Sequence, residues 1–451
     1  MKAGVAAGHP ATCEAGIEIL ADGGSAADAA VAACLASCVA ETVMTGLLGG
    51  GHAIYWDARS ARARNLDCFV AVPSGVGAPM VDLQVPFGEE LVHYAIGAAS
   101  CGVPGVASGL AELWREHGRL TWERLVEPAL RLAHDGVPMP SAHVRCLEML
   151  ESVLTLDAGA RIYAPGGKLL RDGELLQQPG LVHTLELLRD EGAASVYSGS
   201  IAEALLELCA ERGGVVTRDD LASYRATWNE AVEVAFAGTR FLTRADLSGV
   251  PDTLSRLPPS ADVVALVETL DPTVDRDGDT TNLVTVDGEG SACVLTTSLG
   301  LGSGDYLPGL DLHLNSMLGE VDLLRGEVRP RRRMRSMMAP SIALDADGPA
   351  LALGAAGGTR LRTALVGVAS AILERGANAQ DAVDAGRAHP AGRVVHAEPG
   401  IPEDALAELE RRGRSVRRWP ARHHYFGGVS AIGLSGPAAD PRRSGAARSA
   451  A

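Results

Sequence analysis

A chain of 451 residues with 47% hydrophobic and 21% charged residues can bury a large core, and its length suggests two or three domains. A formal net charge of −16 argues against non-specific nucleic-acid binding, and the composition excludes a disordered chain. No run approaches the roughly 18 apolar residues of a membrane span, and Met1-Lys2-Ala3-Gly4-Val5 lacks the apolar stretch of a secretory signal, so no membrane partner is expected.

The elements begin with His9-Pro10-Ala11-Thr12, which opens an amphipathic helix to Leu20, stopped by Gly23-Gly24. Ser25 reads as the N-cap of a helix from Ala26 to about Val39, whose small residues suggest close packing. A glycine-dense stretch, Gly46 to Gly51, precedes a strand at Ala53–Trp56, a turn, and a returning strand at Asn65–Cys68. Residues 106–235 are mainly helical, with helices from Val106 to about His117, from Thr121 to Ala133, and over 143–154, 180–190 and 200–212. Residues 247–279 are polar and rich in Pro and Asp, and read as an exposed connection where a chain can be cut without dismantling a core.

After that the pattern becomes β-hairpins: Leu283–Val286 with Ala292–Ser298, then Ser341–Leu344 with Ala350–Leu353. Gly354-Ala355-Ala356-Gly357-Gly358 leads into a helix from Leu361 to about Arg375, and strands are expected at Val394–His396 and Val429–Leu434. Hairpins with helices segregated to one or both faces suggest an α+β fold of stacked αββα layers rather than a doubly wound parallel sheet. The tail, 435–451, is Gly-, Ala-, Pro-, Ser- and Arg-rich and is expected to be disordered.

Eight scattered cysteines form no CxxC pair and no Cys/His cluster with zinc spacing, so no metal or cofactor is expected. Their apolar surroundings read as buried free thiols in a reducing, cytoplasmic location. Arg331-Arg332-Arg333 with Arg335 is either a solvated basic face or an approach to an anionic ligand. Gly46–Gly51 lacks both GxGxxG in a βαβ setting and a GK[ST] ending, so neither nucleotide motif is supported. His9, His52 and His396 have no link to a GxSxG nucleophile elbow, and each reads as structural.

The chemistry-bearing stretch is Gly278-Asp279-Thr280-Thr281-Asn282, at the mouth of a strand. β-Branched residues on a pleated surface would account for the Thr pair. The sharper reading is that a cut before Thr280 gives one residue both a hydroxyl nucleophile and an α-amine base. An α-amine has a pKa of about 7.7–8.0, so a useful fraction is unprotonated near neutrality.

Several blocks in order then resemble the γ-glutamyltranspeptidase family of N-terminal nucleophile (Ntn) hydrolases, over nearly the whole chain from about Ala6 to Leu434. They are Ile19 to Ala32, Gly102-Val103-Pro104-Gly105, Glu127-Pro128-Ala129 with Leu132 to Gly136, Thr280-Thr281-Asn282 with Val286 to Gly290, Gly302-Ser303-Gly304, Leu314-Asn315-Ser316-Met317, Ser336 to Pro340, and Gly357-Gly358-Thr359-Arg360. The resemblance implies a four-layer αββα sandwich and a zymogen that cuts itself between Asp279 and Thr280. A large fragment, 1–279, and a small one, 280–451 (ordered to 434), would stay together, with room for a homodimer of the processed unit. Thr280 would attack an amide-type carbonyl of a small-molecule donor and pass the acyl group to water or an amine. Ser298 matches the hydroxyl that bonds the α-amine, and Gly357 and Gly358 match the oxyanion-hole pair.

The glutamyl-recognition positions depart from the family pattern. Phe69 stands where an arginine grips the donor carboxylate, and an apolar ring cannot replace a bidentate cation. Gly300 stands in place of a donor-binding asparagine, Ser316 and Gly319 stand where the donor amine is bound, and Asn282 replaces a histidine. Arg335 replaces a serine before Ser336; it either binds a differently placed carboxylate, with Arg360, or pairs with a nearby acid. The expectation is a threonine hydrolase or acyltransferase with an altered donor, poor on glutathione. Two alternatives stand beside it: C–C bond cleavage of a biosynthetic intermediate by the same nucleophile, and an uncut, non-catalytic binding protein.

Overall fold

The computed structural model describes residues 1–87, 90–270, 280–324 and 328–450. Two antiparallel sheets dominate it. The first runs Ala446–Ser449, Gly4–Ala7, Thr281–Val286, Ala292–Ser298, Gly50–Asp57, Arg62–Cys68, Thr227–Glu230. The second runs Gly436–Ala439, Gly428–Gly433, Gly348–Ala356, Ser341–Asp345, Thr239–Thr243, Val232–Phe236. Both expected hairpins are present, with Thr281 opposite Thr297 and Ile342 opposite Ala352.

Alternation along Thr281–Val286 sorts its side chains between two environments. Leu283 joins the apolar cluster of the helices Pro10–Ala21 and Ala26–Ala40, and Thr285 Oγ1 donates to the carbonyl of Ala26 at 2.7 Å. Val284 and Val286 instead meet Ile342, Leu344, Ala352 and Ile432 of the second sheet. The outer face of the second sheet packs on the helices Val250–Arg256, Arg360–Leu373 and Ala379–Asp384, through residues such as Phe241, Leu353, Leu254, Leu365 and Val383.

The helix Ala26–Ala40 is buried along its whole length. Small side chains allow that close approach, and a capping box starts it: Ser25 Oγ accepts from Asp28 N–H at 3.0 Å, and Asp28 Oδ2 accepts from Ser25 N–H at 2.9 Å.

Two expectations are corrected. The stretch after residue 246 is not a plain linker. Val250 with Leu254, and Val264 with Val267, give two short buried helical faces in Val250–Arg256 and Val263–Thr269. Residues 271–279 lie outside the described residues, so Asp279 does too. The tail is not disordered. Its strands close both sheets, Gly436–Ala439 on Gly428–Gly433 and Ala446–Ser449 on Gly4–Ala7. The composition suggests solvated arginines, yet Arg442 is buried because its guanidinium is fully engaged. Its Nε donates to Glu398 Oε1 at 2.8 Å and its Nη1 to Asp440 Oδ1 at 3.2 Å, while Arg387 Nη2 meets Asp440 Oδ2 at 2.5 Å.

Candidate active site

Thr280 immediately precedes the strand Thr281–Val286. The register that places Thr281 opposite Thr297 brings Thr280 to the level of Ser298 at the end of Ala292–Ser298. It is 7% exposed and lies between two small cavities.

The first cavity, about 30 Å3, brings Thr280 together with Phe69, Ser298, Ser336 and Gly358. Its other walls are Met317, Glu320, Leu323, Met337, Met338 and Leu361. Gly357 and Gly358 follow the strand Gly348–Ala356 and precede the helix Arg360–Leu373, with φ of +121° and +58°. These left-handed values favour glycine, and a β-carbon on Gly357 would lie 2.7 Å from Gly427 Cα.

Phe69 is buried and stacks on His52 with ring centroids 5.4 Å apart. Its backbone carbonyl accepts from the Tyr224 hydroxyl at 2.6 Å. Burial, with the nearby charges of Arg244 and Arg333, depresses the His52 pKa and keeps that ring neutral.

Ser298 Oγ accepts from Gly300 N–H at 2.8 Å, and Ser316 Oγ accepts from Leu301 N–H at 3.0 Å. Ser316 and Gly300 therefore stand one layer behind the cavity. A β-carbon on Gly300 would fall 2.3 Å from Glu320 Oε1 and 2.7 Å from Ser316 Oγ. The Glu320 carboxyl thus uses the space that a larger residue at position 300 would fill. Sequence reading missed Glu320; only its place beside Gly319 hinted at it. Asn282 is structural here, its amide donating to Thr296 Oγ1 at 3.0 Å.

Of the two readings of Arg335, the structure shows the pair with a nearby acid. Arg335 Nε donates to Asp246 Oδ1 at 2.6 Å, away from the Thr280 cavity. Asp246 also takes Arg244 at 2.9 Å and the Ser336 N–H at 2.8 Å, so this acid organises the loop and pairs with both cations. Arg360, by contrast, is buried, with Nε donating to the Tyr425 carbonyl at 3.0 Å. Arg331 and Arg333 line a separate open cavity of about 380 Å3, with Tyr224 and Arg225.

The second cavity, about 10 Å3, lies on the other side of Thr280 and is lined by Glu41, Thr281, Ser430, Asp440 and Arg443 among others. Glu41 is buried at the C-terminus of the helix Ala26–Ala40. Thr12 Oγ1 donates to its Oε1 at 2.6 Å, and Thr281 Oγ1 donates to its Oε2. Burial pushes this carboxyl up from 4.5 to about 6, against the lowering effect of those two hydroxyls and Arg443. Among the described residues, no group of three or more His, Cys, Asp or Glu could hold a metal ion.

Comparison with known proteins gives this arrangement its family. The gamma-glutamyltranspeptidase family model matches residues 12–250 and 258–450. The chain is 25% identical over 538 residues to a glutathione hydrolase proenzyme of Bacillus subtilis (strain 168), covering 98% of this chain and 90% of that protein. It is 28% identical over 506 residues to the acylase ACY 1 proenzyme of Pseudomonas sp. (strain SE83), covering 96% of this chain and 89% of that one. The crystal structure of a cephalosporin acylase from Bacillus halodurans superposes with a TM-score of 0.81 over 99% of this chain and 96% of its own, at 23% identity, which speaks to fold alone. The chain belongs to the gamma-glutamyltranspeptidase family, and it is an enzyme of the hydrolase or acyl-transferring kind found there.

Proposed function

We propose that the protein is an autoprocessing N-terminal threonine hydrolase or acyltransferase with an αββα Ntn-hydrolase sandwich, acting on an apolar acyl donor. One observation carries this reading: Thr280 heads a buried strand within a cavity that it shares with Ser298 and Gly358. Cleavage between Asp279 and Thr280 frees the α-amine. Thr280 Oγ then adds to the donor carbonyl carbon while its proton passes to that amine. The oxygen that gains charge is received by the N–H groups at Gly357 and Gly358, where a single donor typically contributes about 3–4 kcal/mol of barrier lowering. Collapse returns the proton to the departing amine and leaves a threonyl ester. Water or an acceptor amine resolves the ester by the same steps in reverse. Ser298 holds the α-amine in place.

The donor reading rests on the cavity wall. Phe69, Met317, Met337, Met338 and Leu361 are apolar, and its described lining includes no Lys or Arg, whereas a glutamyl carboxylate asks for a cation. Glu320 and Ser336 are the polar groups that would orient a donor. The relatives named acylases are consistent with an acyl-amide donor. Eight free, buried cysteines fit a reducing, cytoplasmic setting.

Intact mass with N-terminal sequencing tests the nucleophile: the mature protein should yield a fragment beginning at Thr280. Thr280→Ala should remain uncut and inactive. If that variant matures, or if the new start lies elsewhere, the assignment is wrong. Efficient turnover of glutathione, exceeding that of apolar acyl amides, would overturn the donor reading.

A further inference from the structure

We propose that Glu41 is a positioning residue for the nucleophile. Through the hydroxyls of Thr12 and Thr281 it pins the strand that begins beside Thr280, and its negative charge stands behind the amine that cleavage sets free. The proposal rests on the reading of Thr280 above.

The geometry has three parts. Glu41 is 1% exposed, and its two oxygens are used separately, Oε1 by Thr12 and Oε2 by Thr281. The site has room for this carboxyl only because residue 8 is glycine: a β-carbon there would lie 2.7 Å from Glu41 Oε2 and 2.9 Å from Thr281 Oγ1. The third part is strand phase. Thr281 shares the helix-facing side of its strand with Leu283 and Thr285, while Asn282, Val284 and Val286 face the second sheet. A slip of one residue would exchange those faces. Thr281 is the first residue of the strand and the neighbour of Thr280, so anchoring its hydroxyl fixes which way Thr280 turns.

The electrostatic role follows from what faces Glu41 on every side. Thr12 comes from the helix Pro10–Ala21, Thr281 from the strand, and Arg443 from the C-terminal segment, where its charge acts on the carboxyl. Asp440 lines the same small cavity but is committed to Arg387 and Arg442. His9 and His143 lie nearby, their rings 5.2 Å apart, and burial keeps both neutral. Glu41 is therefore the anion whose partners toward the nucleophile are neutral hydroxyls. Above its own titration it favours the ammonium form of the freed amine. Arg443 opposes it across the same cavity.

The test uses the full chain in four forms: wild type, Glu41→Gln, Thr281→Val and Thr281→Ser. Two quantities are read. One is the rate of cutting before Thr280, followed by intact mass. The other is the midpoint pH for carbamylation of the Thr280 amine by cyanate, followed by peptide mass. Glu41→Gln and Thr281→Val should each cut at least about 10-fold more slowly, and Thr281→Ser should cut as the wild type does. In Glu41→Gln the carbamylation midpoint should move to lower pH, by about one unit. A residue that merely stabilised the fold would not move it. Wild-type cutting with unchanged rates in both Glu41→Gln and Thr281→Val, and an unmoved midpoint, would overturn the role of Glu41 while leaving Thr280 intact. A wild-type chain that is never cut there overturns the nucleophile reading itself. If Glu41→Gln does not fold, the Thr281 pair decides: equal rates for Val and Ser at that position sink the proposal.

Discussion

A β-carbon placed on Gly357 would fall 3.2 Å from Nη2 of Arg443. The loop between the strand Gly348–Ala356 and the helix Arg360–Leu373 thus rests on a guanidinium delivered from the far end of the chain. That guanidinium is buried, and its Nη1 points at the sulfur atoms of Met44 and Cys146, at 3.4 and 3.9 Å. The conformation of the loop is set from beneath as well as along the chain.

Gly357→Ala should therefore damage the site more than its single methyl group suggests. The added carbon meets Gly427 Cα at 2.7 Å in a backbone conformation with φ +121°, so the loop must move. If its N–H stabilises the developing oxyanion, turnover should fall about 100- to 1000-fold. Steady-state kinetics on a chain shown by melting to be folded checks this. A variant with wild-type turnover would remove Gly357 from the machinery.

Arg442→Ala should destabilise the fold by about 3–5 kcal/mol, because it strands a buried carboxylate. Glu398 takes two bonds from Arg442 Nε, at 2.8 and 3.0 Å, and both side chains are fully enclosed. Urea denaturation is the measurement. A loss below about 1 kcal/mol, the scale of a surface pair, would contradict the burial described for this segment.

Arg335→Ala should be nearly silent. The Arg335 side chain is half exposed and its pair with Asp246 is worth about 0–1 kcal/mol. Turnover should stay within about twofold, as expected for a surface position away from the reacting atoms. Asp246→Ala should cost more, since it also releases Arg244 and the Ser336 N–H that shapes the cavity wall. A large, selective rise in KM for Arg335→Ala would restore that residue to the donor site.

Acid should weaken the fold between pH 6.5 and about 4. Burial lowers the His9 pKa from 6.5 to about 4, so the unfolded chain binds the extra proton in that window. Its stabilising contribution is full above pH 6.5 and disappears as pH falls, a loss of about 3 kcal/mol from this ring alone. His143 and His424, also depressed by burial, act in the same direction. Glu41 has the opposite sign. Its pKa rises to about 6, so its contribution is present below pH 4.5 and is lost as pH climbs through 6. The stability of Glu41→Gln relative to wild type should therefore rise by about 2 kcal/mol between pH 4.5 and 7.5. Chemical denaturation at three pH values reads both trends.

The sequence was most legible where local rules and tertiary packing agree. Ser25 and Asp28 announce the helix Ala26–Ala40 by capping chemistry, and turn residues between β-branched runs announce the hairpin of Thr281–Val286 with Ala292–Ser298. The position of Thr280 beside Ser298 follows from that hairpin alone. Glu41, Glu320 and Arg442 were not legible. A charged residue reads as solvated unless its partners are known, and the decisive ones can lie far along the chain: Glu41 reaches Thr281 across 240 positions and Arg442 reaches Glu398 across 44. Glu320 gains its space from the absence of a side chain at Gly300, which no local pattern encodes.

The order of the first sheet places Gly4–Ala7 between Ala446–Ser449 and Thr281–Val286. A cut before Thr280 would leave that N-terminal strand clasped on both edges by strands of the other piece, and Ala292–Ser298 would in turn border Gly50–Asp57. The two pieces would be woven, not docked. They could part only by tearing hydrogen-bonded ladders in the middle of a sheet, so no dilution short of denaturation should separate them. Neither piece made alone should find its fold, because each supplies strands that the other needs as neighbours.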